Sequence, residues 1–302
     1  MLFRLSLWSV HTAHWIINRC DKMKIALMPN LTRKNALSVS LEVCTQLDKL
    51  NADYIVRTEQ KEYFINTNAR FLSEEKMLEE CDVIIAVGGD GTIIHAAKAG
   101  KPILGINAGR IAFMAGLEPT ELDMLKNLID GDYENDRRMM LKADVCNADG
   151  TVIKTCYCIN DVVLARGTQI KMEDISVEHN GKLINNYTAD GIIISTPTGS
   201  TAYSLSAGGP VVDPQIESIL LTPICTHSLF SRALIFKPDS VFRLYSPNLI
   251  ELGLSCDGDE TVTVPQGHYV LVRKAEMYGE FIRIKNETFL EILNSKLAQR
   301  RL

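Results

Sequence analysis

The chain has no excess of positive charge: among its 302 residues, 32 Lys and Arg stand against 37 Asp and Glu, for a net charge of −5. Without a basic stripe, a nucleic-acid backbone is a poor candidate for its main partner. It lacks any run of the ~20 apolar residues that a membrane-spanning helix needs, so no membrane is expected. Its eight cysteines include no C-x-x-C pair. Cys156 and Cys158, two apart on an apparent strand, point the same way and suit neither a normal disulfide nor a zinc knuckle. Reduced thiols in a cytoplasmic protein are the expectation. Neither the Lys-bearing P-loop nor the G-x-G-x-x-G spacing occurs, which removes both standard nucleotide fingerprints. No repeat or low-complexity linker divides the chain.

The first 22 residues are apolar, but His11, His14 and Arg19 interrupt them and no small-residue cleavage site follows. They read as an extension outside the fold, since Met23 opens a strand-like run. From 23 to 135 strand and helix patterns alternate. Strands are predicted at Lys24 to Met28, Asp53 to Arg57, Asp82 to Val87 and Pro102 to Ile106. Helices are predicted at Arg33 to Leu50, Ser73 to Glu80 and Thr92 to Ala99. This predicts an α/β nucleotide-binding domain with a Rossmann-like parallel sheet, whose ligands lie beyond the carboxyl ends of the strands.

From 136 to 280 short alternating strands with hairpin turns predict a β-rich domain. Strands are expected at Met140 to Val145, Thr151 to Cys158, Asp174 to His179, Ile192 to Ser195, Arg232 to Phe236, Val241 to Tyr245 and Thr261 to Val264. A short helix is expected around Ala202 to Ala207. The segment 281–302 contains a helical stretch, Thr288 to Arg300, expected to return to the first domain.

Two segments are poor packing material and good ligand-gripping material. Gly88-Gly89-Asp90-Gly91-Thr92 follows a wholly apolar strand, and Ser195-Thr-Pro-Thr-Gly-Ser-Thr-Ala-Tyr-Ser-Leu-Ser-Ala-Gly-Gly-Pro210 lies about a hundred residues on. Small residues let backbone N–H groups approach phosphate oxygens. A carboxylate among them, Asp90, can take a proton from an attacking hydroxyl or help hold Mg²⁺. In the second segment Ser200 and Thr201 offer hydroxyls, Tyr203 can flank a base, and Ser204 and Ser206 line the next turn. Asn160-Asp161 and Asp190-Gly191 place carboxylates at strand boundaries, where either a turn or a ribose contact is served. His95, five residues after Asp90, and His227 are weaker candidates, each more readily read as a structural residue.

Together these motifs resemble the NAD kinase family from Lys24 to about Lys285. The first motif alone also resembles lipid kinases and phosphofructokinases, but the Gly-Thr-Gly-Asn-Asp run of the lipid kinases is absent. The resemblance implies that ATP, with Mg²⁺ or another divalent cation, phosphorylates NAD to NADP in a homodimer or homotetramer. It implies Asp90 as proton acceptor for the adenosine-ribose 2′-hydroxyl, with Gly88, Gly89, Gly91 and Thr92 at the ATP phosphates. Gly91, Asn160, Asp161, Asp190, and Thr201, Ala202, Tyr203, Ser204, Leu205 and Ser206 would contact NAD, joined by His95, Lys171 and Thr188. No metal ligand is firmly assigned. Three positions depart from the family pattern: Thr188 replaces a common basic residue, Asp259 a frequent Gln, and Ala112 the usual Gly. A lipid or sugar kinase, an NAD(P) sensor and an NADP phosphatase are the alternatives.

Overall fold

The computed structural model describes residues 22–109, 112–167, 171–227 and 231–299. The apolar segment before Lys22 lies outside the described residues.

Five parallel strands form the first part: β1 (Lys24–Pro29), β2 (Asp53–Arg57), β3 (Arg70–Leu72), β4 (Val83–Gly88) and β5 (Ile103–Asn107). The helices between and after them are α1 (Ala36–Lys49), α2 (Lys61–Phe64), α3 (Glu74–Glu80), α4 (Asp90–Ala97) and α5 (Leu125–Asp130). Strand alternation sends Ile25 and Leu27 to one face, where α1 buries Val39, Val43 and Leu47 against them. Ala26, Ile84 and Ala86 take the other face, under Met77 of α3 and Ile93 of α4. Helices on both faces explain why β4 is buried along its whole length.

The strands lie in the order β3-β2-β1-β4-β5. The chain runs outward from β1 through β2 and β3, then returns to lay β4 on the other side of β1. Connections therefore diverge between β1 and β4, and the crevice at their carboxyl ends is the fold's natural ligand position. Asn30 bridges it, its N–H donating to the Val87 carbonyl at 3.0 Å.

The second part is antiparallel. It contains β6 (Glu134–Cys146), β7 (Val152–Cys158), β8 (Asp161–Arg166), β9 (Glu173–His179), β10 (Lys182–Ala189) and β11 (Gly191–Ser195). After α6 (Tyr203–Ser206) come β12 (Ile219–Ile224), β13 (Leu234–Phe236), β14 (Phe242–Tyr245), β15 (Leu252–Cys256), β16 (Val262–Val264) and β17 (Tyr269–Arg283), then α7 (Phe289–Gln299). A six-stranded sheet ordered β13-β12-β11-β8-β15-β16 packs its apolar face on β6, β9, β14 and β17. The expected hairpin at His179–Lys182 forms with Asn180 and Gly181 both at positive φ, the geometry that suits the twist of paired strands.

Strand β17 joins the two parts. It pairs antiparallel with β14 and β6, and its far end reaches β5 in parallel through Phe281 and Ile103. The domain limits expected at 135 and 280 lie within β6 and β17. Beyond β17, Lys296 of α7 pairs with Glu118 at 2.8 Å, tying the carboxyl-terminal helix to the loop after β5.

Candidate active site

Gly88 ends β4 and Gly89 caps α4, so Asp90 is the helix's first residue. A carboxylate there suits the positive end of the helix dipole. Its orientation is fixed by the stretch after β5: the Met114 N–H donates to Oδ1 at 2.8 Å and the Phe113 N–H to Oδ2 at 3.1 Å. These two backbone donors aim the group.

The turn Asn160-Asp161 lies between β7 and β8. Its peptide N–H groups converge on a carboxylate the sequence reading left out, that of Asp257. Oδ1 accepts from Asn160 at 2.7 Å and Asp161 at 3.1 Å, and Oδ2 from Ile159 at 2.9 Å. The Asp257 side chain is 1% exposed and pairs with Lys98, just past α4, at 3.0 Å. The same ammonium reaches Asp259 at 2.8 Å. Burial works against the Lys98 charge, but the two carboxylates outweigh it and hold its pKa above the usual lysine range. Asp161, buried beside Asp257, has its carboxyl pushed up to about 7, by desolvation first and the Asp257 charge second.

The second glycine-rich segment is shaped to receive this turn. The Thr196 hydroxyl donates to the Ile159 carbonyl at 2.6 Å, and its N–H to the Asn160 carbonyl at 2.9 Å. A Cβ on Gly199 would lie 2.0 Å from that carbonyl oxygen, so only glycine permits the approach. Most hydroxyls of the segment are engaged within the protein. Ser200 Oγ bonds Val212, Thr201 Oγ1 donates to the Thr198 carbonyl at 3.2 Å, and buried Ser204 meets Thr222 at 2.9 Å. Ala202 and the exposed Tyr203 are left to face a cavity of about 340 Å³, with Asn160, Asp161, Asp257 and Gly258. Leu205 and Ser206 continue α6, half-buried and exposed.

Gly91, Thr92 and His95 line a second, larger cavity of about 590 Å³ at the crevice between β1 and β4. Asp259 is in its wall, while Asp257 and Gly258 line the smaller one, so the turn 257–259 has a cavity on either side. The remaining predicted residues lie elsewhere in the chain. Asp190 pairs with Arg166 at 2.8 Å, and Thr188 donates to Asp174 at 2.5 Å. Lys171 is exposed near that same end. The β8–β11 ladder sets Asp161 opposite Ser195 and Ala165 opposite Gly191. Asp190, one residue past Gly191 and level with Arg166, is thus separated from Asp161 by five residues of strand, roughly 17 Å. Among the described residues no group of three or more His, Cys, Asp or Glu side chains is placed to hold a metal ion, and no helix is long and apolar enough to cross a membrane.

Comparison with known proteins bears on the family and the fold. The family described as ATP-NAD kinase N-terminal domain matches residues 16–133, and the ATP-NAD kinase C-terminal domain matches 159–284. The NAD kinase of Caldanaerobacter subterraneus is 35% identical over 284 residues, 92% of this chain and 99% of the relative. That of Carboxydothermus hydrogenoformans is 36% identical over 231 residues, 74% of this chain and 82% of the relative. In fold, the chain is similar to yeast NADH kinase complexed with NADH, with a TM-score of 0.84 at 24% identity over 92% of this chain and 89% of that one. It is also similar to an NAD kinase from Archaeoglobus fulgidus in complex with ATP, with a TM-score of 0.71 at 23% identity over 92% and 99%. With both family domains matched in order and relatives this similar along nearly its whole length, the chain belongs to the NAD kinase family.

Proposed function

We propose that the protein transfers the γ-phosphoryl group of ATP to the 2′-hydroxyl of the adenosine ribose of NAD, forming NADP, with Asp90 as proton acceptor. Family membership carries the reaction. The observation within the chain that supports it is the pair of cavities on either side of residues 257–259, next to the helix that Asp90 opens. A two-substrate phosphoryl transfer needs that arrangement, because donor and acceptor must meet in line with little covalent help from the protein.

NAD is assigned to the smaller cavity, with Asn160, Asp161, Ala202 and Tyr203 around it. The donor phosphates are assigned to the first turn of α4, where Gly91 offers a helix-start N–H and Thr92 a hydroxyl. Asp90, aimed by Phe113 and Met114, receives the proton as the 2′-oxygen attacks. A divalent cation on ATP needs only one or two protein carboxylates beside the phosphates. Asp90 at the start of α4 fits that need, and the cation, when bound, neutralises phosphate charge as the transfer proceeds.

Lys171, Thr188 and Asp190 are assigned to the site of a second copy, in a homodimer or homotetramer. Their separation from Asn160-Asp161 along the β8–β11 ladder supports this, since one chain does not gather all the predicted contacts. A cytoplasmic location belongs to the same proposal. The lipid or sugar kinase, sensor and phosphatase readings are set aside on family membership.

Incubation of purified protein with NAD, ATP and Mg²⁺, coupled to an NADP-specific dehydrogenase, tests the reaction. NADP formation dependent on all three is expected. Turnover of diacylglycerol or a sugar, with none of NAD, would overturn it.

A further inference from the structure

The two N–H groups that aim Asp90 belong to a stretch that leaves β5 at Asn107 and comes back beside it at Leu117. Its ends meet in a closed neck. The Asn107 N–H donates to the Leu117 carbonyl at 3.0 Å, and Ile106 and Leu117 form a parallel bridge. On the outgoing side the Ala108 N–H donates to the Gly88 carbonyl at 2.9 Å, two residues before Asp90. On the returning side the Gly116 N–H donates to the Gly105 carbonyl at 2.9 Å. A Cβ on Gly105 would lie 3.0 Å from the Met114 carbonyl oxygen, so Met114 rests directly on β5. Little slack separates the neck from the donors to Asp90.

Side chains staple the same neck. Asn107 is 3% exposed; its Oδ1 accepts the Gly109 N–H at 2.8 Å, and its Nδ2 donates to Glu118 Oε2 at 2.8 Å. A peptide N–H only donates and a carboxylate only accepts, so the two bonds fix which way the amide is turned. The other carboxylate oxygen, Glu118 Oε1, accepts from Lys296 Nζ of α7 at 2.8 Å. Burial works against the Glu118 charge, but Lys296 and then Asn107 outweigh it and hold its carboxyl below the usual range. Lys285, just past β17, supports the joint: it reaches Glu121 Oε2 at 3.1 Å, and that oxygen accepts the Glu118 N–H at 2.8 Å. Helix α7 also approaches the aiming residues themselves, since Ile292 lines a small cavity of about 50 Å³ with Phe113 and Met114.

We propose that Lys296 is a positioning residue for the phosphoryl transfer: through Glu118 and Asn107 it locks the neck of the stretch from which Phe113 and Met114 aim the Asp90 carboxylate. The proposal rests on the reading of Asp90 as proton acceptor. A charge-assisted bond such as Lys296–Glu118 is short and strong enough to hold one geometry. None of Asn107, Glu118 and Lys296 lines either substrate cavity, so the lock acts on the rate of transfer rather than on substrate affinity.

The test uses the full chain. Lys296→Met keeps the aliphatic stem and removes the ammonium, Lys296→Arg keeps a cation, and Glu118→Gln leaves one acceptor oxygen for two donors. Steady-state kinetics of NADP formation are measured with hydrogen–deuterium exchange of the peptide 112–117. In Lys296→Met kcat is expected to fall about tenfold, within the range that a small misplacement of a reacting group produces. The KM values for NAD and ATP should hold, and exchange over 112–117 should quicken. Glu118→Gln should reproduce the fall, and Lys296→Arg should recover most of it. Because Lys296 acts through Asp90, adding Lys296→Met to Asp90→Asn should lower kcat no further. An unchanged kcat in Lys296→Met, a rise in KM with kcat preserved, or an equal further fall in the Asp90→Asn background overturns the proposal. Exchange separates the two readings. If wild type forms no NADP the reaction assignment falls, while faster exchange over 112–117 in Lys296→Met keeps the lock and unchanged exchange removes it.

Discussion

Lys98 Nζ lies 3.0 Å from a carboxylate oxygen of Asp257, whose two oxygens together accept the peptide N–H groups of Ile159, Asn160 and Asp161. One ion pair thus connects the helix begun by Asp90 to the turn that lines the smaller cavity. Asp257 is itself at positive φ, a conformation that Asn and Asp tolerate better than most side chains.

Replacing Asp257 by Asn keeps the shape but removes the charge that Lys98 faces and leaves one oxygen to serve three N–H groups. Breaking a buried pair by removing one partner costs about 3 kcal/mol or more. Denaturant unfolding is expected to show that loss, and the KM for NAD should rise while the KM for ATP moves less. Unchanged stability would mean the pair is too solvated to matter.

The turn also imposes a pH dependence. Asp161 releases its proton near 3.8 when unfolded and at about 7 in the fold. Between those values the folded state holds the extra proton, so this group's contribution to stability falls as pH rises toward 7 and stays low above it. Asp161→Asn, which carries no charge at any pH, is therefore expected to gain stability over wild type at pH 8 and little at pH 4. Urea unfolding at the two pH values checks the sign, with a difference on the order of a few kcal/mol.

Gly199→Ala puts a methyl group where the Asn160 carbonyl lies, 2.0 Å away. The segment or the turn must move, at about 1–3 kcal/mol or more. Thermal unfolding should report the loss, and NAD affinity should fall with it. By contrast Gly91→Ala meets nothing within 4 Å and has an ordinary φ, so stability should hardly change.

Thiol reactivity should be graded by environment. Of the cysteines described, only Cys225 is exposed, whereas Cys44, Cys158 and Cys256 are buried. Burial pushes the Cys44 thiol up to about 12, and Cys156 is raised by its neighbour Cys256 and then by burial. Among these residues iodoacetamide at neutral pH should alkylate Cys225 first, as read by peptide mass mapping.

Much of the fold was legible because the parallel strands are short apolar runs bounded by turn residues. Asp53–Arg57 forms over the predicted span, and Lys24 to Met28 extends by one residue. β12 was missed because Pro223 sits inside it, where a missing donor argues against a strand. β17 was missed because Arg273, Lys274 and Glu276 break its apolar alternation around a bulge. In the site, Asp90 and Asn160-Asp161 stand out because glycines and turn residues mark them locally. Asp257 does not, since its partners are 96 to 98 positions away and only the sheet brings them together.

The central claim is that Asp90 takes the proton. The most direct measurement is kcat for NADP formation by Asp90→Asn, with equilibrium binding of NAD alongside, because an amide can accept from only one of the Phe113 and Met114 N–H groups. Loss of a general base should lower kcat by about 10² to 10⁴ with NAD still bound. Turnover within a few-fold of wild type, with binding intact, would contradict the assignment.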